Sequence, residues 1–497
     1  MGVFTSSISL LLKRRYNRLL DEVEHVTDKQ QQIFSYLIHH GQRTLYGQMH
    51  HYDRIVTIED YQTLVPIVTY EELYPYIQRI QSGEEDILWP QQIKWMSKSS
   101  GTTNNRSKYI PVTSEALEDC HYKAGQDMLA IYLQSHPDSN VCQGKNISIA
   151  GSMCKNNSGI MCGDVSAILM SNLPFWARLL STPSLEDNLF PDWEKKIELI
   201  IKTTIQQNVT SITGIPTWTL VLIKNIIKEK QVSYIDEIWP NLELFIHGGV
   251  SFISYKDLFK NVLSHPINYL EAYNASEGFF AVQFDDNNDM LLLTNHGIFY
   301  EFMSCSDGSV HTINDIELNH TYSLIISTNA GLWRYQIGDT IQFTSLYPHK
   351  IKIVGRTKLF INTFGEEVMI HNAETAIARA CEETNSTITD YTAGPCCMDN
   401  NAHAQHEWAI EFDKFPNDIN TFIDILDKTL REDNSDYDAK RFNDIVLGKP
   451  KITILPRGFF YSMLNDMGKL GGQHKIPRLN NSRSLLNLIH ERLQNTH

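Results

Sequence analysis

The chain has 497 residues, of which 42% are hydrophobic and 20% charged, proportions that exclude a wholly disordered or collagen-like protein. Its 43 Lys and Arg against 58 Asp and Glu give a formal net charge of −15, which disfavours sequence-independent binding to nucleic acid or to an anionic membrane. The 8 cysteines include no CxxC pair, and no apolar run reaches the roughly 18 residues of a membrane span, so we expect a cytoplasmic protein with reduced thiols.

The first 230 residues have mostly helical patterns. Apolar residues recur near the 3.6-residue period over 8–40, which predicts one helix, and 54–84 is short and loop-rich. Further on, the patterns predict a strand at 91–97, a helix from Thr113 or Ser114 to Leu133, a strand from Asn146 to Ala150, and helices at 193–206 and 217–230.

After these helices the chain becomes strand-rich, with short apolar runs separated by turns. The runs lie at 242–246, 269–273, 279–283, 290–294, 298–302, 321–328 and 339–344, and another strand runs from Lys350 to Val354. From about 357 a small α/β unit begins, with helices predicted at 371–383, 418–431 and 485–494 and strands at 386–392, 407–413 and 451–455. We therefore predict a mixed α/β (α+β) fold with two domains, 1–356 and 357–497.

A polar loop lies between Ser97 and Lys108. Six of its residues carry hydroxyls, three are basic, and Gly101 frees the backbone, a combination suited to phosphate oxygens. The spacing is not that of the GxxxxGK[ST] loop. On this segment alone, a solvated loop is an equal alternative.

Three later stretches combine residue types that bind nucleotides. In Tyr273 to Gly278, an aromatic ring suits stacking on a base, a hydroxyl suits a phosphate, and a carboxylate suits Mg²⁺. Gly331 to Asp339 ends in a carboxylate that suits ribose hydroxyls. Gly355 to Lys358 lies at the expected domain boundary, where a hinge would lie. For the first stretch, a strand-to-turn junction with one exposed Glu is the alternative.

In this order, the four stretches resemble those of the auxin-responsive acyl-acid amido synthetases of plants (the Gretchen Hagen family) and their bacterial relatives. That family lies within the firefly-luciferase-like adenylate-forming enzymes. The resemblance covers most of the chain and adds four further motifs: Gly214-Ile215-Pro216, His247-Gly248-Gly249, Phe299-Tyr300-Glu301-Phe302 and Gln473-His474-Lys475-Ile476-Pro477-Arg478.

The resemblance implies a large N-terminal domain, with layered α/β sheets and a β-barrel, and a small mobile C-terminal domain. It implies a ligase that uses ATP and Mg²⁺ as cofactors. A small carboxylic acid attacks the α-phosphate of ATP, giving an acyl-adenylate and pyrophosphate. An amine, usually of an amino acid, then takes the acyl group and AMP leaves. From the acidic composition we expect no nucleic-acid or membrane partner, and the sequence leaves the oligomeric state open.

The resemblance also implies roles for individual residues. The phosphates would be held by Ser99, Ser100, Gly101, Thr102 and Thr103. Gly248 and Gly249 would let the adenine approach the backbone, Tyr273 would pack on it, Ser276 would contact phosphate, Glu277 would hold Mg²⁺, Asp339 and Arg356 would bind the ribose, and Lys475 would reach the reacting oxygens.

Two features of the sequence leave alternatives open. Asn104-Asn105-Arg106-Ser107 replaces the glycine-rich half of the family loop. Four aromatic residues would line an apolar acyl pocket or pack in the core: Phe175, Trp176, Trp218 and Trp333. A thiol acceptor such as coenzyme A, or a regulatory protein that binds nucleotide without turnover, are the alternative functions.

Overall fold

The computed structural model describes residues 2–99, 108–190, 193–249, 252, 255–285, 289–356, 360–361, 368–396, 405–434, 437–438, 441, 447–467, 476–480 and 483–495. Its α-helices are α1 Gly2–Glu24, α2 Val26–Gly41, α3 Leu45–Met49, α4 Ile58–Leu64, α5 Tyr70–Gln81, α6 Lys123–Ser135, α7 Val165–Ser171, α8 Phe175–Leu180, α9 Leu185–Asn188, α10 Trp193–Thr204, α11 Pro216–Lys230, α12 Lys256–Lys260, α13 Ile370–Thr384, α14 Ile419–Asp433, α15 Phe459–Asp466 and α16 Ser484–Asn495. A π-helix spans Ala116–Tyr122, and 3₁₀ turns span Tyr52–Arg54, Val141–Gln143 and Ile235–Glu237.

The strands are β1 Trp95–Ser99, β2 Lys108–Val112, β3 Lys145–Ser148, β4 Met153–Lys155, β5 Met161–Gly163, β6 Ser181–Thr182, β7 Val209–Gly214, β8 Leu244–Gly248, β9 Asn268–Ala275, β10 Gly278–Gln283, β11 Met290–Leu292, β12 Ile298–Ser304, β13 Val310–His311, β14 Thr321–Thr328, β15 Tyr335–Leu346, β16 His349–Arg356, β17 Phe360–Ile361, β18 Val368–Met369, β19 Thr387–Cys396, β20 Gln405–Lys414 and β21 Lys451–Leu455.

One mixed sheet organises the first 356 residues. Within the described residues it has 12 strands, in the order β13-β12-β14-β15-β16-β11-β10-β9-β8-β7-β3-β6. Strands β6, β3, β7, β8 and β9 run parallel, and the others pair antiparallel. Parallel strands need crossover connections, and α10 and α11 supply such helices; their apolar residues form one core with β7 and β8. A second, four-stranded sheet has the order β2-β1-β5-β4.

The antiparallel half of the large sheet is strongly curled. Strands β9 and β15 are separated by β10, β11 and β16, which in a flat sheet would place them about 19 Å apart. The side chains of Tyr273 in β9 and Asp339 in β15 are nevertheless hydrogen-bonded to each other. The strand pairing described is open rather than closed, so the β-barrel stays a prediction.

The C-terminal residues form a separate α/β domain. Strands β19, β20 and β21 form a sheet, and α13 and α14 pack against it around Trp408 and Phe422. A second apolar cluster joins α15 and α16. We call the part of the chain from α13 to α16 the C-terminal domain and the part up to β16 the N-terminal domain. The mixed α/β fold predicted from the sequence is confirmed, whereas the predicted boundary between 356 and 357 stays a prediction.

The predicted strands between 242 and 354 are confirmed, and so are the helices and strands predicted after residue 370. The single helix predicted over 8–40 is wrong, because the helix breaks at His25 into α1 and α2. The region 54–84 contains two helices, α4 and α5, each opened by a capping box, at Thr57 and Thr69. Strand β1 begins at Trp95 and continues to Ser99, two residues into the expected loop. Strand β7 was not predicted.

A buried network of charges fastens α1 to α6. Arg15 donates to both carboxylate oxygens of Glu22, at 2.9 and 3.0 Å, and to Asp127. His296 lies 2.8 Å from Asp127, and Lys123 lies 3.3 Å from Glu22. Glu22, Asp127 and His296 are close enough to hold a cation, but two basic side chains already neutralise the carboxylates, so we assign the group a structural role. Among the described helices, none has both the length and the apolar character needed to cross a membrane.

Candidate functional site

Three parallel strands of the large sheet end at one edge. In the β7–β8 register Gly214 pairs with His247, and in the β8–β9 register Gly248 pairs with Ala272. Ligands of open α/β sheets bind outside the carboxyl ends of such strands. The glycines of two family motifs and the start of Tyr273 to Gly278 therefore lie along the same edge, which is the candidate site.

The two glycines at the end of β8 keep side chains away from this edge. A Cβ on Gly248 would lie 2.3 Å from the carbonyl oxygen of Ala272, far inside any permitted contact. Gly249 has φ +78°, a left-handed conformation that favours glycine. Close packing on Ala272 and the left-handed backbone thus explain the two glycines, and Gly249 is exposed at this edge, as the predicted adenine role requires.

Tyr273 and Asp339, far apart in the sequence, meet in the structure. The Tyr273 hydroxyl donates to Oδ2 of Asp339 at 2.5 Å, and both residues are buried. The Tyr273 ring packs against Phe280, with centroids 4.8 Å apart. Asp339 pairs with Arg356 across β15 and β16, so the structure brings together the backbones of both predicted ribose-binding residues.

The turn between β9 and β10 contributes a hydroxyl and a carboxylate. Ser276 is 4% exposed, and its Oγ has no hydrogen-bond partner among the described residues. Glu277 is half-buried. Burial raises the pKa of Tyr335 well above its usual range, and the nearby charges of Glu277 and Asp339 add to the effect. Tyr335 therefore lies near both carboxylates.

Several buried polar atoms in or beside the predicted motifs have no hydrogen-bond partner among the described residues. Besides Ser276 Oγ, they include the buried hydroxyls of Tyr335, Thr340 and Thr219 and Nδ1 of His247, none of which has a hydrogen-bond partner among the described residues. Buried polar groups in proteins are normally hydrogen-bonded. These five atoms are compatible with a polar ligand, but they do not mark the site by themselves, because similar atoms such as the Tyr52 hydroxyl and Nε1 of Trp408 lie elsewhere in the described residues. The carboxylates of Glu277 and Asp339 offer oxygen ligands of the kind that suit Mg²⁺.

Two ionisable residues at this edge, His247 and Glu271, were not predicted from the sequence as site residues. Burial lowers the pKa of His247 to about 4, so the ring is neutral at pH 7; it stacks on Phe252 with centroids 4.1 Å apart. Burial, and to a lesser extent the charge of Glu374, raise the pKa of Glu271 to about 7. No local signal identifies Glu271, because Glu374 belongs to the C-terminal domain.

The aromatic residues considered for an acyl pocket lie in different environments. Phe175 is 78% exposed, whereas Trp218 is buried in α11 and contacts Tyr461. Trp333 is fully buried, and its indole donates to the carbonyl oxygen of Leu88 at 2.8 Å. We therefore assign Trp333 to the core, which was the alternative left open by the sequence. The side chain of Trp176 lies outside the described residues.

Several predicted site residues also lie outside the part of the chain that the structure describes. These are Ser100, Gly101, Thr102, Thr103 and Lys475, together with the side chains of Ser99 and Arg356. Their roles stay predictions.

Comparisons with known proteins match most of the chain. The GH3 family N-terminal domain matches residues 15–267, the GH3 family central domain 291–356 and the GH3 family C-terminal domain 371–484. A 4-substituted benzoates-glutamate ligase of Arabidopsis thaliana is 21% identical over 95% of this chain and 96% of that protein. A jasmonoyl–L-amino acid synthetase of Nicotiana attenuata is also 21% identical, over 93% of each chain.

Two solved structures share the fold. The GH3.15 acyl acid amido synthetase has a TM-score of 0.81 at 18% identity, covering 95% of this chain and 94% of that one. A 2-hydroxyisobutyryl-CoA ligase in the postadenylation state has a TM-score of 0.59 at 11% identity, covering 96% and 93%. At these identities the similarity establishes the fold alone.

The raised pKa of Glu271 predicts a pH-dependent stability. Its ordinary pKa is 4.5 and its folded pKa about 7, so the folded protein binds this proton more tightly and loses stability as pH rises between those values. Glu271→Gln should match the wild type near pH 4.5 and be more stable by about 2 kcal/mol at pH 8, measured by urea unfolding. Glu317→Gln, a substitution of an exposed residue, is the control. If the difference in stability between Glu271→Gln and the wild type were the same at pH 4.5 and pH 8, the interpretation would be contradicted.

The Tyr273–Asp339 hydrogen bond predicts a second effect on stability. Tyr273→Phe leaves a buried carboxylate without one donor and should lower the free energy of unfolding by about 2 kcal/mol. Ser276→Ala removes a buried hydroxyl that has no partner among the described residues and should change it by less than about 0.5 kcal/mol. Denaturant unfolding of the ligand-free protein measures both; equal losses in the two variants would contradict the assignment.

Proposed function

The chain belongs to the GH3 family, and from that premise we propose that it is an ATP-dependent ligase joining a small carboxylic acid to the amine of an amino acid. The observation that carries the proposal is the convergence of Gly248, Tyr273, Ser276, Glu277 and Asp339 around one edge of the large sheet. The family relatives that span nearly the full chain are named as acid–amino acid ligases, which supports the same reaction.

In the first half-reaction, an oxygen of the acid attacks the α-phosphorus of ATP. The new P–O bond gives the acyl-adenylate, and the bond to the β-phosphate breaks to release pyrophosphate. A carboxylate approaching a triphosphate meets like charge, so positioning and cationic stabilisation are the main catalytic requirements. We assign the stabilising cation to Lys475, because an ammonium on a flexible stem suits a group that must approach and withdraw.

The described residues would bind the nucleotide and not react with it. Gly248 and the exposed Gly249 would let the adenine approach the backbone, and Tyr273 on the neighbouring strand would provide an adjacent ring. Asp339, already oriented by the Tyr273 hydroxyl, would accept hydrogen bonds from the ribose. Glu277 would hold Mg²⁺, which supplies neutralisation of phosphate charge when bound. We assign phosphate contacts to Ser276 and to Ser99, Ser100, Gly101, Thr102 and Thr103, and a ribose contact to Arg356.

In the second half-reaction, the neutral amine nitrogen attacks the acyl carbon of the adenylate. The amide bond forms, the carbon–oxygen bond to AMP breaks, and the amine loses a proton. We propose that the division at residues 356 and 357 allows the C-terminal domain to move between the two steps. The four aromatic residues considered above do not select an acid, so the substrate class is decided by assay.

The reaction is tested by acid-dependent exchange of pyrophosphate into Mg-ATP. The acids are chosen from the relatives' names: 4-substituted benzoates, jasmonate, indole-3-acetate and 2,4-DB. Pooled amino acids are then added, and conjugates are identified by mass. Exchange with an acid followed by an amide product supports the proposal. A thioester formed only with coenzyme A would favour the thiol acceptor, and bound ATP without exchange would favour a regulatory protein.

Replacement of Lys475 tests the assignment of the catalytic cation. Lys475→Ala should lower pyrophosphate exchange about a hundredfold or more, because a charge aimed at the transition state is lost. ATP affinity, measured by calorimetry, should change by less than about fivefold. Lys428→Ala, an exposed lysine of α14, is the matched control. Exchange at the wild-type rate in Lys475→Ala would falsify the role given to this residue.

A further inference from the structure

Arg478 is buried between the two domains. Its Nη2 donates to the hydroxyl of Tyr255 at 2.9 Å, and Tyr255 belongs to the N-terminal domain, where its ring is buried in the core of the parallel half. The other contacts of Arg478 are to the C-terminal domain: Glu374 and Asp390 lie at 3.6 Å, and the Tyr391 ring centroid at 4.9 Å. One side chain therefore contacts both domains.

Because Arg478 is charged and buried, its hydrogen bond to Tyr255 stabilises the observed arrangement of the two domains. The residue is 8% exposed, both carboxylates lie beyond hydrogen-bond distance, and Nη1 has no hydrogen-bond partner among the described residues. A buried guanidinium has lost its hydration and depends on each remaining partner. The hydrogen bond to Tyr255 is its short polar contact across the interface, and separation of the domains would replace that bond with water.

The backbone around Arg478 is fixed within the C-terminal domain. The amide of Ala393 donates to the carbonyl oxygen of Arg478 at 2.8 Å, and the amide of Asn480 donates to Ala393 at 2.9 Å. The Thr392 hydroxyl donates to the carbonyl oxygen of Pro477 at 2.6 Å. Residues 476–480 therefore lie along β19 as part of this domain, and the segment begins directly after Lys475 in the sequence.

The described residues make further contacts across the interface. Close to the boundary, Nδ1 of His371 donates to the carbonyl oxygen of Val354 at 2.5 Å, and the rings of Trp218 and Tyr461 lie 6.4 Å apart. Lys224 lies 3.8 Å from Asp413, but these side chains are 51% and 30% exposed, and such ion pairs contribute little. Glu271 and Glu374 carry like charges and raise the free energy of the closed arrangement when both are ionised. The Arg478–Tyr255 hydrogen bond differs from the His371 contact because it lies far from the boundary at 356 and 357 in the sequence and three residues after Lys475, so it is well placed to set how long the domains stay together.

We propose that the observed domain arrangement is the one used for adenylation, that this hydrogen bond holds the C-terminal domain in it, and that the bond breaks before the amine attacks. The proposal rests on the proposed function and deepens it: Arg478 and Tyr255 are positioning residues that act through the placement of Lys475. They take no part in the chemistry. Because the bond stabilises one domain arrangement, its loss should slow adenylation and leave amide formation from a preformed adenylate nearly unchanged.

Tyr255→Phe is the sharpest test, because it keeps the buried ring and removes only the hydroxyl. Acid-dependent pyrophosphate exchange should fall about tenfold, as expected for loss of a hydrogen bond to a charged group. Amide formation from a synthetic acyl-adenylate, made from the acid found active above, should stay within about twofold. Tyr437→Phe is the matched control, since its hydroxyl donates to Asp427 at 2.8 Å entirely within the C-terminal domain.

Small-angle X-ray scattering of the ligand-free protein gives a readout that needs no substrate. The radius of gyration should increase in Tyr255→Phe and stay unchanged in Tyr437→Phe. Arg478→Lys, which cannot span the same contacts, should show the same split between half-reactions if Tyr255→Phe does not fold. Equal losses in both half-reactions with unchanged scattering would overturn the proposal, as would wild-type behaviour in both. A protein that adenylates no acid but opens in Tyr255→Phe would overturn the proposed function and leave the interdomain contact supported.

Discussion

The curl of the large sheet is the constraint on which the candidate site depends. Twelve strands in the described residues form a single order, yet Tyr273 and Asp339 meet across three intervening strands. The parallel half presents its strand ends and glycines, and the antiparallel half returns to the same edge with a carboxylate. Without the curl, the two halves would present separate fragments of a site. The short hydrogen bond between these residues therefore joins the halves at the point where the ligand is expected.

Buried charges are paired at shorter distances between α1 and α6 than at the domain interface. At α1 and α6, Arg15 and Lys123 neutralise buried carboxylates at short distances, so the group stabilises one arrangement. At the domain interface, Arg478 faces two carboxylates at 3.6 Å while Glu271 faces Glu374. The first group pairs its charges at hydrogen-bond distance, whereas the described contacts between Arg478 and the carboxylates are longer. Short pairing suits a fixed element, and longer pairing, which water can replace at low cost, suits the domain separation that we propose.

The sequence predicted the strands of 242–354 well, because apolar runs bounded by turns specify short strands strongly. It also predicted Tyr273 and Asp339 as partners in one site, through the family motifs. It did not predict the break at His25, because the apolar period continues across it. The sequence also did not show whether Trp333 packs in the core or lines an acyl pocket, since aromatic side chains suit both places. Tyr255 and Glu271 were missed because their partners, Arg478 and Glu374, lie in another domain, and no local pattern contains that information.

Because the partners of Tyr255 and Glu271 lie in the C-terminal domain, the interface between the two domains can control a two-step reaction. Glu374 affects Glu271 by repulsion and Arg478 by attraction, so the C-terminal domain carries opposing contributions to its own docking. The neutral Tyr255 hydroxyl accepts a hydrogen bond from the Arg478 guanidinium, which favours the docked state without fixing it as a short buried ion pair would. A docked state stabilised by a few kcal/mol is populated, but it can still open on the timescale of turnover. Under the proposed mechanism, such a balance would let Lys475 act in the first half-reaction and then withdraw, so that the amine could approach the adenylate.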